Sequence, residues 1–513
     1  MKRRQFIAAS ANAGLGLGLF SVIPSHVFAA SKKGLVPPSD RITMVHIAAG
    51  SESLNEIGPL LRAPAIEIVG IADPNRESYD YIHWSPNGLR DSLRRIMDEP
   101  GWKAGKRGIP GGRDVMKEVV ETYYRKNRPG YKGSVAVAED YRELLDKIKD
   151  VDAVKIMSPD HLHAWQALDC LRRGKHIIMH KPLGNKMAEA MQVVDAARAS
   201  DRSTFLMPYN AFSSGNMNRI RNWIEAGAIG TLREIHNWSN RPVWPQYPNI
   251  PTDKPPVPDG FNWDLYLGPA EWRDYHPHYT FCTFRGWYEF GAGAIADMGY
   301  YSLWPVFDAL GLDTAVSASS RFSRTVETAS HDGCLVPFTV ENDFSYPTAS
   351  ALRFEVPYKN KPGKIILQWH DGGMKPAIPD GFEGDDLPIE GMMFIGDNGV
   401  ILSGFLRENP YILGERAKEW EAVQGEKMPN FTEPAADGTE TWLQMWMDGC
   451  KGKAKGPASF EFAKEINETF NLGSISLMRQ GKRLTYDPAT RSITNDPEGH
   501  LLLTRKVRKG WEF

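Results

Sequence analysis

The chain has little cysteine and almost no net charge. Its four cysteines, Cys170, Cys282, Cys334 and Cys450, are scattered over 513 residues and include no Cys-x-x-Cys pair. This spacing offers no zinc site, and we expect free thiols that are mostly buried. The 61 basic and 63 acidic residues nearly cancel, which argues against a nucleic acid or an acidic membrane surface as a partner.

Long apolar runs, internal repeats and low-complexity tracts are also lacking. The apolar stretch at residues 8–23 is too short and too rich in glycine for a comfortable membrane span. It follows Lys2-Arg3-Arg4 and precedes Val27-Phe28-Ala29, which has small residues at the positions that a signal peptidase reads. These features predict a twin-arginine export signal over residues 1–30, a periplasmic location, and no stable membrane span after the signal is removed.

The composition is otherwise that of a large globular protein. The chain is 42% hydrophobic and 24% charged, and its length favours two domains. The sequence pattern changes after Tyr209-Asn210, where the alternation of short apolar runs and helix-like stretches ends, so we predict one domain over residues 40–210 and a second domain over residues 211–513. The segment 75–134 is polar and rich in glycine, proline, lysine and arginine, which indicates a surface insertion that covers a cofactor or forms an oligomer contact.

Strands alternate with helices in the first predicted domain. This alternation predicts a parallel sheet with right-handed crossovers. The first helix-like stretch is residues 54–61, and the longest are residues 162–173 and 187–199. The predicted strands are residues 41–47, 66–71, 153–157, 177–179 and 204–207.

A modified dinucleotide-binding turn follows the first strand. The usual Gly-x-Gly-x-x-Gly reads Ala48, Gly50 and Ser53 here, and a serine can still donate a hydrogen bond to a phosphate. Asp73 follows the second strand, where a carboxylate binds the ribose hydroxyls of NAD and disfavours the 2′-phosphate of NADP. Otherwise Asp73 is a turn residue before Pro74. We therefore expect NAD rather than NADP, and the predicted cofactor contacts are Ala48, Gly50, Ser51, Asp73, Ser158, Pro159, His163 and Lys181.

Lys181 follows the predicted strand 177–179 and directly precedes Pro182. Proline fixes its own φ and keeps the preceding residue out of the helical region, so the backbone of Lys181 is expected to be extended and stiff. Ligands of open α/β sheets bind outside the carboxyl ends of the strands, which places Lys181 well to hydrogen-bond a substrate hydroxyl. The alternative is a surface lysine that ends a strand.

His161 and His163 follow the predicted strand 153–157. Two histidines at a strand end can be metal ligands, but no third ligand is spaced to join them. We therefore expect no metal, and a cofactor or substrate contact from these two side chains.

The second domain begins with a long loop that is rich in proline and aromatic residues. From Arg241 to Gly286 the chain shows little regular periodicity, and a structureless loop of this length is usually functional. Its aromatic rings are expected either to stack on sugar rings or to anchor the loop. Alternating runs between residues 315 and 404, with a Gly396-Asp-Asn-Gly399 turn, predict a mainly antiparallel sheet.

Asp297 and Tyr301 lie four residues apart at the start of a predicted helix. Residues at positions i and i+4 share one helix face, so an acid and a phenol are expected to converge on the same pocket, where they can bind and polarise a carbinol. The alternative is a helix start with an aromatic side chain packed inside.

Taken together, these residues resemble the Gfo/Idh/MocA oxidoreductase family, and in particular its exported, glucose-fructose oxidoreductase-like branch. Lys181-Pro182 is similar to the family's Glu-Lys-Pro, with His180 in place of the glutamate. The segments 262–269, 285–287 and 293–299 look like signatures of that branch. The resemblance implies an α/β protein with an N-terminal Rossmann domain and a C-terminal α/β domain, whose large, open, mainly antiparallel sheet forms a homo-oligomer interface.

The resemblance also implies NAD(P)-dependent oxidoreduction of a sugar, polyol or sugar derivative, with a tightly bound cofactor. The family's catalytic lysine falls on Lys181, and its Asp-x-x-x-His motif falls on Asp297 and Tyr301, so a tyrosine replaces the usual histidine. We expect Lys181 and Tyr301 to hydrogen-bond the reacting hydroxyl, one of them relaying its proton, while Asp297 orients the sugar. Because a phenol ordinarily titrates near about 10, Tyr301 needs the ammonium of Lys181 nearby to act as a base. The predicted substrate contacts are His161, Tyr209, Asn210, Arg285 and Trp287.

Two other functions are compatible with the same residues. Some members of the family cleave glycosides by transient oxidation, elimination, addition of water and re-reduction, which returns the cofactor unchanged. A sugar-binding protein without catalysis also fits, because the glycine fingerprint, the glutamate before Lys181 and the usual histidine are all altered.

Overall fold

The computed structural model describes residues 36–37, 40–85, 87–208, 215–241, 245–414, 417–420, 422–423 and 433–512. The contacts divide the chain into two units, Met1–Arg41 and Ile42–Phe513, and the fold below is that of the second unit. The predicted export signal and the predicted substrate contacts Tyr209 and Asn210 lie outside the described residues.

The first part of this unit contains a Rossmann-like sheet. Its strands and those of a small hairpin are β1 (Ile42–Ile47), β2 (Ile66–Ala72), β3 (Ser78–Tyr81), β4 (Ile109–Gly111), β5 (Ala136–Ala138), β6 (Ala153–Ile156), β7 (His176–His180) and β8 (Thr204–Met207). The main sheet has the order β5-β2-β1-β6-β7-β8 with all neighbours parallel, which confirms the predicted fold class. Strands β6, β7 and β8 are buried along their whole length, and their residues are mostly apolar, the exceptions being Lys155, His176, His180 and Thr204.

Helices pack around this sheet and connect its strands. They are α1 (Ser51–Asn55), α2 (Gly58–Arg62), α3 (Gly88–Met97), α4 (Arg113–Asn127), α5 (Tyr141–Lys147), α6 (Asp160–Arg172) and α7 (Met187–Ala199). The single helix expected at residues 54–61 is wrong, because the structure has two short helices there. Pro59 is the reason: it lies in the first turn of α2 and has no N–H to continue the preceding helix.

The segment 75–134 is only partly the surface insertion expected from its composition. Helix α4 is the crossover from β2 to the neighbouring strand β5 and packs against β2. It buries Val115, Val119 and Tyr124, and the Tyr124 hydroxyl accepts a hydrogen bond from the Ile68 N–H at 2.8 Å. Because one face of this amphipathic helix is polar, its composition suggested a surface segment and gave no sign that its other face belongs to the core. The β3–β4 hairpin and α3 are the parts added to the basic fold.

The second part contains a nine-stranded, mainly antiparallel sheet. Its strands, with those of a separate hairpin, are β9 (Leu232–Trp238), β10 (Ser317–Phe322), β11 (Val326–His331), β12 (Cys334–Thr339), β13 (Ser350–Pro357), β14 (Lys364–His370), β15 (Gly391–Gly396), β16 (Gly399–Ser403), β17 (Tyr411–Ile412), β18 (Leu484–Asp487) and β19 (Ser492–Ile493). The order is β17-β16-β15-β9-β14-β13-β10-β18-β19. Within this sheet, among the residues that the structure describes, β9–β14 is the parallel pair and the other neighbouring strands are antiparallel. Gly396 pairs with Gly399 across the predicted turn, which confirms that hairpin.

Two long helices join this sheet to the Rossmann part. The helices of the second part are α8 (Gly215–Glu225), α9 (Trp263–Leu267), α10 (Gly293–Leu310), α11 (Ala417–Trp420), α12 (Thr441–Cys450), α13 (Lys464–Met478) and α14 (Pro497–Leu501). Helix α13 contacts α7, α10 and β10, and almost all of its residues are buried. The Tyr300 hydroxyl of α10 donates to Asn467 Oδ1 of α13 at 2.7 Å, which orients α10.

The aromatic loop is not structureless. Its described part contains α9 and short 3₁₀ turns at Pro277–Tyr279 and Phe281–Gly286. Most of its rings form a small core of their own: Trp263 stacks on Tyr266 with centroids 5.4 Å apart, and Trp287 stacks on Tyr247 at 4.5 Å. The rings therefore anchor the loop. Trp272, which is 60% exposed, is an exception, and Trp244 lies outside the described residues.

Among the helices that the structure describes, none combines the length and the apolar character needed to cross a bilayer.

Candidate active site

A large cavity lies between the Rossmann sheet and the second part of the chain. Its volume is about 670 Å³, within the range of cofactor and ligand sites. One wall follows the carboxyl ends of β1, β2, β6 and β7, and the opposite wall includes the start of α10 and the 3₁₀ segment before it. This is the crevice in which doubly wound sheets bind their ligands.

The three predicted catalytic side chains meet in this cavity. Lys181 directly follows β7, and Asp297 and Tyr301 come from one face of α10, as their spacing predicts. The Lys181 ammonium forms an ion pair with Asp297 Oδ1, and its Nζ lies 5.3 Å from the centre of the Tyr301 ring. Lys181 and Asp297 are only 4% and 7% exposed, so the pair is inside the protein. Lys181 and Tyr301 are therefore close enough to contact one substrate hydroxyl.

The charge of Asp297 is maintained by two cations. Burial by itself raises the pKa of Asp297, but the Lys181 ammonium and the Arg285 guanidinium outweigh this effect and hold the pKa below its usual value. Arg285 Nε lies 3.6 Å from Asp297 Oδ1, which places Arg285 in the cavity wall as predicted. Asp160 is a further buried carboxylate, and its Oδ2 accepts the Ala292 N–H at 3.1 Å.

Tyr301 is a hydrogen-bond donor at neutral pH. Burial, reinforced by the carboxylates of Glu56 and Glu52, raises its pKa well above that of a free phenol. The proximity of Lys181 does not reverse this effect, which favours Lys181 over Tyr301 as the relay for the proton of the substrate hydroxyl. A protonated phenol can instead donate to a substrate oxygen.

The modified dinucleotide turn lines the same cavity. Ala48 has a left-handed backbone conformation, with φ of 70°. The ring of Tyr81 covers the turn closely, because a Cβ at Gly50 would lie only 3.1 Å from it. Ser53 Oγ is buried in the cavity wall and has no hydrogen-bond partner among the described residues. An orphaned hydroxyl at the third fingerprint position fits a phosphate oxygen.

Asp73 lies at the end of β2 in the cavity wall. Its two carboxylate oxygens accept the N–H groups of Ala49 at 2.5 Å and of Asn75 at 2.7 Å, so it also holds the dinucleotide turn in place. Burial raises the pKa of Asp73 to about 6, although these hydrogen bonds act in the opposite direction. Its contact with a ribose stays a prediction.

Ser51, Ser158 and Pro159 also line the cavity, as predicted for cofactor contacts. The Ser51 hydroxyl donates to Ile82 O at 2.7 Å, and the Ser158 hydroxyl donates to Gln166 Oε1 at 2.6 Å. Both hydroxyls therefore donate their hydrogen bonds within the protein and link neighbouring segments of the chain. Their oxygen atoms can still accept a hydrogen bond from a ligand.

Three predicted contacts lie away from the cavity wall and need correction. His163 packs between the segment after Lys181 and the end of β6, with its ring nitrogens 2.6 Å from Pro182 O and 2.7 Å from Ser158 O, and a neutral ring donates to one of these two oxygens. His161 Nε2 lies 2.9 Å from Tyr266 O, and Trp287 is fully buried in the aromatic loop. Burial lowers the pKa of both histidines to about 3, which is consistent with structural roles for neutral rings.

A group of charged residues beside Lys181 was missed by the sequence reasoning. His180, Glu52 and Glu56 place potential ligand atoms within 4.8 Å of one another, a spacing that a metal ion could bridge although none was predicted. Lys155 Nζ, however, lies 3.3 Å from Glu56 Oε2 and already supplies a positive charge there. Glu52 and Glu56 are one helical turn apart, and that spacing was the available signal.

Two family models match the chain. A model described as "Oxidoreductase family, NAD-binding Rossmann fold" matches residues 125–207, and one described as "Oxidoreductase family, C-terminal alpha/beta domain" matches residues 220–332. Both models belong to the Gfo/Idh/MocA family, which confirms the predicted family for these two segments. The exported branch stays a prediction.

Curated relatives match shorter regions. A glycosyl hydrolase family 109 protein from Shewanella sp. (strain ANA-3) is 32% identical over 120 residues, 23% of this chain and 25% of the relative. Levoglucosan dehydrogenase from Pseudarthrobacter phenanthrenivorans is 30% identical over 123 residues, 23% of this chain and 30% of the relative. The chain thus spans only about a quarter to a third of the length of these relatives.

Solved structures resemble the chain over most of its length. The WlbA dehydrogenase from Bordetella pertussis, in complex with NADH and UDP-GlcNAcA, covers 87% of this chain and 99% of that chain. Its TM-score is 0.48 and its sequence identity is 14%.

The buried ion pair between Lys181 and Asp297 is expected to stabilise the folded protein in a pH-dependent way. Asp297→Asn leaves Lys181 and Arg285 without their shared counter-charge, so we expect the free energy of unfolding to fall by about 3–5 kcal/mol at neutral pH. Because the pKa of Asp297 is lowered in the folded state, its contribution is present above the unfolded pKa of 3.8 and is lost as the pH falls through the lower folded value. Urea unfolding of both proteins measures the difference.

The double variant Lys181→Met with Asp297→Asn is the control for this prediction. We expect it to be more stable than the sum of the two single changes by about 1 kcal/mol or more, since contacting charges are coupled. Strictly additive losses would show that the pair is not a stabilising unit.

Proposed function

Because both parts of the chain match the Gfo/Idh/MocA oxidoreductases, we propose that this protein is an NAD-dependent oxidoreductase acting on a CH–OH carbon of a sugar, polyol or sugar derivative. The observation that carries the proposal is the Lys181–Asp297 ion pair beside Tyr301, in one cavity with the dinucleotide turn. Levoglucosan dehydrogenase, among the partial relatives, is named for such a reaction.

The cavity residues fit a dinucleotide. The orphaned Ser53 hydroxyl supports a phosphate contact, and Gly50 lines the cavity at the central position of the fingerprint without a side chain of its own. Asp73 supports a ribose contact and the preference for NAD over NADP. Bound NAD⁺ would accept a hydride from the carbinol carbon of the substrate.

Lys181 and Asp297 handle the substrate proton in this proposal. The Lys181 ammonium passes one proton to the Asp297 carboxylate and takes the proton of the substrate hydroxyl, so that the net proton rests on Asp297. The Tyr301 phenol stays protonated and donates a hydrogen bond to the same substrate oxygen. Because the positive charge of Arg285 stabilises the carboxylate and disfavours a protonated Asp297, the proton stays on Asp297 only until it is released to solvent.

Two variants test this mechanism. We expect Lys181→Met to lower kcat by about 10²–10⁴-fold, the usual contribution of a general acid–base. Tyr301→Phe removes one hydrogen bond, so we expect a loss of about 10- to 100-fold. The measurement is NADH formation over a panel of sugars, together with mass-spectrometric detection of NAD released when the purified protein is denatured.

Matched controls come from the same elements. Lys175 lies just before the amino end of β7, and Tyr300 is the neighbour of Tyr301 on α10 but bonds to Asn467. Lys175→Met should retain NADH formation, and Tyr300→Phe, which removes only the bond that orients α10, should lose less activity than Tyr301→Phe. Equal losses in the control and test variants would refute the assigned roles. No bound NAD and no NAD-induced rise in Tm would favour a sugar-binding protein without catalysis.

A glycoside hydrolase that uses transient oxidation is the second candidate. A relative covering part of the chain is named as a glycosyl hydrolase, and the protonated Tyr301 phenol can donate a hydrogen bond to a leaving-group oxygen. Such an enzyme would release the chromophore from chromogenic glycosides without added NAD and without net NADH. Net NADH formation with no chromophore release would exclude this candidate.

We also propose export by the twin-arginine route and homo-oligomerisation through the nine-stranded sheet. The basis is the Lys2-Arg3-Arg4 pattern for export and the open sheet for self-association. Fractionation of producing cells and sedimentation of the purified protein measure the two properties. Mature protein confined to the cytoplasm, or a monomer at all concentrations, would contradict them.

A further inference from the structure

The segment 505–511, called here the strap segment, returns from the second part of the chain to the nucleotide-binding part. Arg505, whose side chain is 2% exposed, pairs with Glu189 of α7, with Nε 2.7 Å from Oε1. Arg508 forms an ion pair with Asp264 and donates to Gly268 O at 3.0 Å. Two arginines therefore hold the strap segment in a defined path.

Trp511 is placed by this strap at one end of the cavity. The backbone N–H of Trp511 donates to Arg508 O at 3.0 Å, and this turn directs the chain toward the cavity. The indole ring of Trp511 forms part of the cavity wall. The Arg142 guanidinium lies 4.7 Å from the indole centre and is itself paired with Asp140 at 2.7 Å. The indole is thus supported by a cation, while its half-buried surface remains available to a ligand.

The strand order identifies which end of the cavity this is. Asp140 and Tyr141 follow β5, which pairs with β2, and the Asp73 N–H donates to Ala138 O at 3.1 Å. In the order β5-β2-β1-β6-β7, this is the opposite end from Lys181. A dinucleotide with its nicotinamide beside Lys181 and a ribose beside Asp73 would place its adenine next to Trp511.

We propose that Trp511 stacks on the adenine of the bound dinucleotide and that the strap segment closes the adenosine end of the cavity. This inference rests on the proposed NAD-dependent function. An indole is a suitable partner because a purine has a flat π-face, and Arg142 beneath the indole fixes the ring plane. A strap that leaves the second part of the chain and covers the cofactor also explains how a dinucleotide could be retained tightly.

The test compares the affinity of the protein for NAD⁺ with its affinity for nicotinamide mononucleotide, which has no adenosine. Calorimetric titration of the full chain, freed of bound nucleotide, is carried out with NAD⁺ and with nicotinamide mononucleotide. We expect Trp511→Ala to raise the Kd for NAD⁺ about tenfold, as for loss of one stacked base, and to leave the Kd for the mononucleotide unchanged. Trp511→Phe should retain most of the NAD⁺ affinity.

Trp272→Ala is the matched control, because Trp272 is 60% exposed, lies near Arg508 and is outside the cavity wall. It should bind both ligands as the unmodified protein does. If Trp511→Ala fails to fold, Trp511→Leu keeps the apolar bulk without the aromatic plane and should show the same selective loss.

The outcomes separate this inference from the function on which it rests. If the unmodified protein binds no NAD⁺, the proposed function fails and the inference fails with it. If the unmodified protein binds NAD⁺ and Trp511→Ala and Trp511→Leu bind it equally well, only the inference is overturned. An equal loss of affinity for NAD⁺ and for the mononucleotide would also overturn it, since that result indicates a general structural effect.

Discussion

The buried ion pair between Lys181 and Asp297 is the contact on which the geometry of the site depends. It joins the end of a Rossmann strand to the first turns of a helix in the other part of the chain. Removing two charges from water costs several kcal/mol for each ion, and only close approach and additional partners offset that cost. Arg285 supplies such a partner, so the pair remains charged although both of its side chains are buried.

Helix α10 holds its half of this pair in place with side chains that face away from the cavity. Tyr300 bonds to Asn467 of α13, and the Ser302 hydroxyl donates to Asn237 Oδ1 of β9 at 2.6 Å. Tyr301, one residue later than Tyr300, faces the cavity. Neighbouring residues of the same helix therefore serve packing and chemistry, because successive side chains on a helix point about 100° apart.

Burial decides what each ionisable group in the site can do. It lowers the pKa values of His161 and His163 to about 3, so both rings are neutral and support carbonyl oxygens. It raises the pKa of Tyr301, which makes the phenol a donor. Burial does not raise the pKa of Asp297 overall, because the two cations beside it outweigh the effect of burial. The roles therefore follow from position in the cavity, and residue type alone would have assigned them differently.

The sequence by itself determined the alternating strands and helices, the antiparallel character of the second sheet and the shared face of Asp297 and Tyr301, since each depends on local periodicity or on spacing within one element. It also indicated Lys181, because a strand end followed by proline is a local pattern. Only the tertiary structure decided that Trp287 packs inside the loop, that α4 belongs to the core, and that Trp511 reaches the cavity from a position more than three hundred residues after Lys181. These contacts join segments that are distant in the chain, and an aromatic residue has the same local sequence signal whether its ring fills a core or faces a ligand.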